Sequence, residues 1–312
     1  MSATTATAKH PASTTRPIPS NLRPLARLEM ARLARHPILV FGVLFGIFST
    51  VLSITELKDQ PTGDVLSMPV TALTVGLPAM IAAHLLARSF ERADELVTAA
   101  PTSPTTRAGS LCLAAIVPAV IACGWLVLFG VAEGRFWITP EWLYGTLSHA
   151  DVWAIVIGNT VIACVGGTLL GVAAGRWWHF RGSSVALVLG VVVWTIAVIG
   201  LFSSEGIPAD WNRWVRLFSP VMAFSNPALG RSGEDTLTGS PWWYLAWLVT
   251  LCALAAIAAL LKGSEGPTRR RLVRLGAAAL VVSALTYGLA AAGGNSQVVR
   301  TYPDGHSVVM TP

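Results

Sequence analysis

Seven stretches without a single charged residue dominate this sequence, each between 19 and 26 residues long. Roughly 20 helical residues cross a bilayer core, and backbone groups in lipid must be hydrogen-bonded within their own segment. We therefore predict an all-α integral membrane protein, a polytopic helix bundle with about seven transmembrane helices. The stretches are residues 37–55, 65–87, 108–132, 152–175, 182–204, 236–261 and 275–299.

The charged residues are few and confined to the segments between these stretches. They make up 12% of the chain, against roughly a quarter in soluble domains, which excludes an ordinary soluble fold. Five regions are predicted: a disordered cytoplasmic tail (1–20), an amphipathic interfacial helix (21–36), a six-span transmembrane domain (37–261), a basic cytoplasmic loop with an additional seventh span (262–292), and an extracytoplasmic tail (293–312) with a β-hairpin around Pro-Asp-Gly.

The basic residues favour alternate loops. The segment before the first span and the loops after the second, fourth and sixth hold 16 of the 22 Lys and Arg residues. The positive-inside rule then places the N-terminus in the cytoplasm and the C-terminus outside. Because these charges flank membrane spans, we expect no nucleic-acid partner. Arg outnumbers Lys 19 to 3, and Ala and Gly are abundant, which suggests the plasma membrane of a GC-rich bacterium.

Residues 21–36 have helical amphipathicity, with Leu22, Ala26, Met30 and Leu33 on one face. The polar residues of interest on this helix are Arg27, Glu29, Arg32 and Arg35. Glu29 falls inside the apolar face, a costly position unless it pairs with Arg32 one turn later. Two interpretations stay open: a plain basic anchor on the inner leaflet, or a helix whose Glu29 faces another protein.

The loop after the second span mixes both signs of charge. Residues 89–97 predict a short amphipathic helix at the membrane surface, which carries Glu91, Arg92, Asp94 and Glu95; Arg107 opens the next span. Three acids are unexpected in a loop that only needs positive charge. The loop is either a docking surface or a solvated face.

Several residues inside the spans point to packing or movement. Pro78 and Pro118 each remove a backbone hydrogen bond and bend their helices, so each is either a packing kink or a hinge. Gly167, Gly171 and Gly175 stand four residues apart, a spacing that lets a second helix approach closely. That helix belongs to this chain or to a second copy.

Motifs for catalysis are missing. No Gly-Lys phosphate loop, His-Glu-x-x-His run or Cys/His metal cluster is present, so we expect no catalytic residues, cofactor or metal. His84 is the one ionisable side chain well inside an uncharged stretch. It is a functional candidate, or it reaches interfacial water near Arg88. We expect no Ser beside an intramembrane base that activates it.

The layout resembles the permease subunit of ATP-binding cassette type-2 transporters. Three features carry the resemblance: a basic helix that ends in Arg-x-x-Arg-His-Pro (residues 32–37) with Glu29 upstream, a loop after the second span with Glu95-Leu96, Pro101 and Arg107, and an apolar outside segment (203–241) between spans five and six. The resemblance covers roughly residues 21–261.

The resemblance implies a dimer, homomeric or heteromeric, and a separate cytoplasmic ATP-binding subunit. Residues 21–36 would be the connecting helix, and residues 89–97 the coupling helix that seats on the ATPase. ATP-driven closure would tilt the two permease halves, mostly to export a substrate. The chain departs from the family in its seventh span, because the family has six spans with both termini inside. Two other functions stay open: an assembly or anchoring subunit of a membrane complex, and an intramembrane enzyme.

Overall fold

The computed structural model describes residues 22–56, 71–97, 103–136, 148–202, 214–221, 225–227, 234–236, 239–294, 298–301 and 306–310. Within those residues the chain is mainly helical. In chain order the α-helices are α1 (Leu22–Ala34), α2 (Pro37–Glu56), α3 (Leu77–Val97), α4 (Pro104–Leu113), α5 (Ile116–Phe136), α6 (His149–Ile157), α7 (Ala163–Trp177), α8 (Ser183–Phe202), α9 (Pro241–Leu261) and α10 (Gly266–Ala292). The π-helical turns Ala72–Gly76 and Gly158–Ile162 lead into α3 and α7.

The described helices include several that can cross a membrane. Five segments are long and apolar enough: Ala72–Phe90, Pro104–Leu128, Trp153–Trp177, Pro241–Leu261 and Gly266–Ala292. The stretch Pro37–Leu52 raises the number to six when it is counted together with α1, from which it is bent by 56°. The apolar stretch Ser183–Val198 is shorter. The helical, multi-pass character follows, whereas a total of seven spans stays a prediction.

The three spaced glycines of α7 lie against α3 of the same chain. A Cβ added at Gly167 would lie 3.0 Å from the carbonyl oxygen of Gly76, and one at Gly175 would lie 2.5 Å from that of His84. At Gly171 it would overlap the carbonyl of Met80. The two backbones therefore meet over more than two helical turns, the close approach that small residues at this spacing permit.

Both span prolines lie at helix irregularities. Pro78 follows the π-helical turn Ala72–Gly76, where its missing N–H removes a bond to the carbonyl of Thr74. That carbonyl faces Gly42 of α2, at which a Cβ would also collide with the Pro78 ring. Pro118 follows the two-residue turn between α4 and α5, inside the span Pro104–Leu128. These positions suit a packing kink and a hinge equally.

The end of α10 and the start of α9 are joined by a small antiparallel sheet. Strands β1 (Ser225–Pro227), β2 (Glu234–Thr236), β3 (Val298–Thr301) and β4 (Ser307–Met310) pair in that order. The predicted tail hairpin is thus β3–β4, and β3 extends it onto the strand that precedes α9. The N–H of Ser240 also donates to the carbonyl of Ala290 at 2.9 Å. We call this the sheet end of the bundle.

Helix α10 is longer than the predicted span. It begins at Gly266, inside the basic loop, and runs for 27 residues against α9, whereas the uncharged stretch begins at residue 275. The exposed residues Arg269, Arg270 and Arg271 form its first turns. Long Arg side chains can extend from a helix end to the interface, so charge does not mark where this helix starts.

Helix α1 packs on its own chain, mainly against α4. Its buried residues are Ala26, Glu29 and Leu33, which share one face because they are three and four positions apart. Arg27 and Arg35 on the other side are exposed. This burial replaces the interpretation in which Glu29 faces another protein, because the described helices of this chain already enclose the side chain.

Candidate functional site at the basic end of the bundle

Opposite the sheet end, five basic side chains from different elements lie near one another. We call this region, which holds Arg32, Arg88, Arg107, Arg176 and Lys262, the basic end. It contains α1, the last turns of α3 and α7, the start of α4 and the turn between α9 and α10. The residues that the sequence predicts for the connecting and coupling helices fall at this end.

A single arginine links α1 to α3. Arg32 Nη1 donates to Glu29 Oε1 at 3.2 Å, and the Arg32 guanidinium carbon lies 5.4 Å from the centroid of the Phe90 ring. Phe90 is the last residue of the span Ala72–Phe90. A cation over an aromatic face is attracted by the ring quadrupole, whose face is negative. Arg32 therefore connects the carboxylate in α1 with the point where α3 leaves the apolar part of the bundle.

Glu29 is the most enclosed acid among the described residues. Its side chain has no exposed surface, whereas 43% of the Arg32 side chain is exposed. Burial raises the pKa of Glu29, and the nearby Arg32 charge and hydrogen bond oppose that rise. Burial also lowers the pKa of His36, which follows α1. The charged carboxylate is thus held in an environment that favours its neutral form.

The predicted coupling helix is not a separate element. Helix α3 continues without a break from Leu77 to Val97, so residues 89–97 extend the second span rather than lie along the surface as an independent helix. The backbone of Glu91, Arg92, Asp94 and Glu95 is helical, and their side chains lie outside the described part. Of the predicted coupling surface, Arg107 is the residue whose side chain surroundings are described.

A cleft of about 130 Å³ opens at the basic end between α3, α4, α7 and the α9–α10 turn. One part of its lining is apolar and the other part is cationic, with Arg107, Arg176 and Lys262. The described lining contains no acidic residue: it consists of Ala87, Phe90, Pro104, Arg107, Ala108, Leu111, Arg176, Lys262 and Gly263.

Arg176 fixes the shape of this cleft. Only 6% of the residue is exposed; its guanidinium donates to the carbonyl of Pro104 at 3.3 Å and to that of Lys262 at 2.6 Å. The Lys262 ammonium donates in return to the carbonyl of Arg176. Gly263 has φ +79°, and a Cβ there would lie 3.0 Å from Pro104. The turn is thus held close to α4 by paired bonds and by a glycine.

His84 is completely enclosed and hydrogen-bonded, contrary to the expectation that it reaches interfacial water. Its Nε2 lies 2.9 Å from Ser183 Oγ at the start of α8, and neither residue has exposed surface. Arg88 Nη1 donates to the same hydroxyl at 3.2 Å. The expectation of no Ser beside an intramembrane base was therefore wrong. The two residues are 99 positions apart, so no local pattern could reveal the pair.

The sheet end carries an aromatic cluster that reaches into the bundle. Residues 214–221, from the apolar outside segment, place Phe218 between Trp194 of α8 and Trp247 of α9, with ring centroids 5.2 and 6.0 Å away. Tyr244 donates to the carbonyl of Ser219 at 2.7 Å. Residues 214–221 therefore pack between helices of the same chain.

The described residues contain no group of three or more His, Cys, Asp or Glu that could hold a metal ion. The basic end thus offers positive charge, one buried carboxylate and a mechanical link between helices. Comparison with known proteins adds no assignment: no family model, curated protein or solved structure matches this chain.

Proposed function

We propose that this chain is the membrane-spanning subunit of an ATP-driven transporter, an exporter that works as a dimer with a separate cytoplasmic ATP-binding subunit. The observation that carries the proposal is the Arg32 link between Glu29 in α1 and Phe90 in α3. These are the elements that, by resemblance, would contact the ATPase. In this proposal the link transmits movement between the two helices, as an energy-coupling surface requires.

In this proposal the basic end faces the cytoplasm and receives the ATPase. Helix α3 extends seven residues beyond Phe90, about 10 Å at the rise of an α-helix. A force on that extension passes directly into the span, because no turn interrupts it. The glycine contact between α3 and α7 makes the two helices one unit, so displacement of α3 carries α7 with it.

The more loosely packed helices would form the moving boundary of this unit. Helix α2 contacts mainly α3 and its π-helical turn, and α8 contacts mainly α3 and α7. Both expose rows of large apolar side chains, including Phe41, Phe45 and Leu44 on α2 and Leu189 and Val193 on α8. These faces are solvated by lipid in a single copy and are available to a second copy in the proposed dimer.

Co-purification tests the proposal. The chain is expressed with an ATP-binding subunit encoded beside it, reconstituted in nanodiscs, and assayed for complex formation and ATP hydrolysis. We expect a complex with two copies of each chain and hydrolysis that depends on both. A chain that forms no such complex, or that hydrolyses ATP alone, would contradict the proposal. A stable complex without hydrolysis would support the assembly-subunit alternative instead.

The His84–Ser183 pair favours one second candidate, an intramembrane hydrolase. A hydroxyl 2.9 Å from an imidazole nitrogen has the spacing of a nucleophile and its base. Against this, both residues are fully buried, and His84 Nδ1 has no hydrogen-bond partner to orient the ring. Covalent labelling by a fluorophosphonate, lost in Ser183→Ala and kept in Ser184→Ala, would establish the hydrolase; we expect no labelling of the wild type.

A further inference from the structure

We propose that the cleft between α3, α4, α7 and the α9–α10 turn binds the phosphate of an anionic phospholipid headgroup. The cleft lies among the ends of several candidate spans. Ala87 and Phe90 end one span, Pro104 begins another, and Arg176 lies one residue before the end of a third. Lys262 directly follows a fourth. The end of a candidate span thus contributes to each wall, so the cleft lies where lipid headgroups would meet the bundle.

The chemistry of the lining suits a lipid phosphate. Arg107, Arg176 and Lys262 bring three positive charges to a cleft of about 130 Å³, and positive charge attracts the oxygens of a lipid phosphate. Ala108 and Leu111 provide an apolar wall. Next to an apolar wall an anion is attracted more strongly than in bulk water, because the local dielectric constant is lower. Basic pockets between spans bind anionic headgroups for this reason.

The site is also preformed, so binding would not require the walls to be assembled. The buried Arg176 is held between the carbonyls of Pro104 and Lys262, and Ser103 caps the first turn of α4 through the N–H of Thr106. Pro104, the first residue of α4, is part of the cleft lining, so the cap fixes this wall. Preorganisation of this kind lowers the entropic cost of binding.

Native mass spectrometry of the detergent-purified chain tests this inference. The probes are phosphatidylglycerol, phosphatidylcholine and inorganic phosphate at matched ionic strength. We expect one phosphatidylglycerol to be retained tightly, phosphatidylcholine to bind at least tenfold more weakly, and inorganic phosphate to compete only at millimolar concentration. The inference is independent of the proposed transport function, because no ATPase is present in the experiment.

Matched variants locate the site. Arg107→Gln and Lys262→Gln each remove one charge from the cleft, and each should weaken phosphatidylglycerol binding about fivefold. Arg270→Gln removes the same charge from an exposed position at the same end and should leave binding unchanged. Circular dichroism and the melting temperature in phosphatidylcholine check that each variant is folded.

Three results would overturn the inference. Equal retention of phosphatidylglycerol and phosphatidylcholine would remove the selectivity on which it rests. An equal loss of phosphatidylglycerol binding in Arg270→Gln and Arg107→Gln would assign the effect to a diffuse basic surface. Inorganic phosphate that displaces the lipid at micromolar concentration would assign the cleft to a free anion rather than to a headgroup.

Discussion

The guanidinium of Arg32 lies 5.4 Å from the centre of the Phe90 ring while it donates to the carboxylate of Glu29 at 3.2 Å. One side chain thus touches a buried charge in α1 and the last aromatic residue of a span. The long Arg32 side chain lets the guanidinium contact both partners. A shorter neutral side chain would contact neither. The contact between Arg32 and Glu29 can be tested from either partner.

Arg32→Ala should destabilise the protein by about 1–2 kcal/mol, because it leaves the Glu29 carboxylate buried without its partner. The cost is lower than the ~3–5 kcal/mol of a fully buried pair, since 43% of the Arg32 side chain is exposed and solvent already weakens the interaction. Thermal unfolding in nanodiscs measures the change. Arg27→Ala, at an exposed position on the same helix, is the control and should change stability by less than ~0.5 kcal/mol.

Glu29→Gln should reduce the pH dependence of stability. The pKa of Glu29 is raised above its ordinary value of 4.5, so the folded state binds the proton more tightly than the unfolded state. The stability from this group is present below pH ~4.5 and is lost as the pH rises through the folded pKa. Wild type should therefore lose stability relative to Glu29→Gln as the pH rises from about 4.5 through the raised pKa of the folded state.

Melting temperatures of both proteins across this range check the pH prediction. His36 has a lowered pKa and contributes with the opposite sign, since its stabilising effect is lost as the pH falls. It is present in both proteins, so the difference between them isolates Glu29. A difference that does not vary with pH would show that the carboxylate titrates as if it were in water.

Gly171→Ala should separate α3 from α7 and destabilise the protein by several kcal/mol. The added Cβ would overlap the carbonyl of Met80, and a backbone contact cannot move aside as a flexible side chain can; overpacking typically costs about 1–3 kcal/mol or more. Gly190→Ala on α8 is the control, because its Cβ meets nothing within 4 Å. Denaturation by sodium dodecyl sulfate compares the two. Similar midpoints would show that the α3–α7 contact relaxes freely.

Charge reversal at Glu91 and Glu95 should uncouple the proposed ATPase from transport, since these acids lie on the extension of α3 beyond Phe90. The double variant should still insert and fold. We expect ATPase co-purification or transport-coupled hydrolysis to fall at least tenfold. Glu265→Lys, at the α9–α10 turn of the same end, is the matched control. Undiminished yield and activity in the double variant would remove the docking role from this surface.

Tyr244→Phe should loosen the segment that dips into the sheet end. The hydroxyl donates to the carbonyl of Ser219 at 2.7 Å, and its loss leaves that acceptor without this bond at a cost of about 1–3 kcal/mol. Hydrogen exchange should increase in residues 214–221 and stay constant in α3. Exchange that increases equally in both regions would indicate global destabilisation instead.

The sequence predicts much of this fold, because each uncharged stretch has one way to satisfy its backbone in lipid. The ion pair between Glu29 and Arg32 could also be predicted, because both residues are local to one helix. The start of α10 could not. The charges of Arg269 and its neighbours predict a loop, yet long basic side chains are compatible with a helix that enters the interface.

The functional groups are harder to predict than the helices. Ser183 meets His84 because α8 starts beside α3, and that depends on how two spans are rotated and shifted, which neither sequence pattern encodes. The cleft is equally hard to predict, since Arg107, Arg176 and Lys262 come from three separate segments. The charged residues after Phe90 predict the end of a span and a separate surface helix, whereas α3 continues to Val97 because charge alone does not end a helix.

The strand order also means that the sheet can be completed only late in synthesis. Strand β2 pairs with β3, which lies about 65 residues later in the chain. At a synthesis rate of about 5–20 residues per second, one edge of β2 stays unpaired for roughly 3–13 s, until α10 has been made and β3 follows. An open strand edge is a template for wrong pairing. Strand β3 therefore covers an edge that would otherwise stay open, and a nascent chain that stops after α10 would leave the β2 edge of the β1–β2 pair exposed.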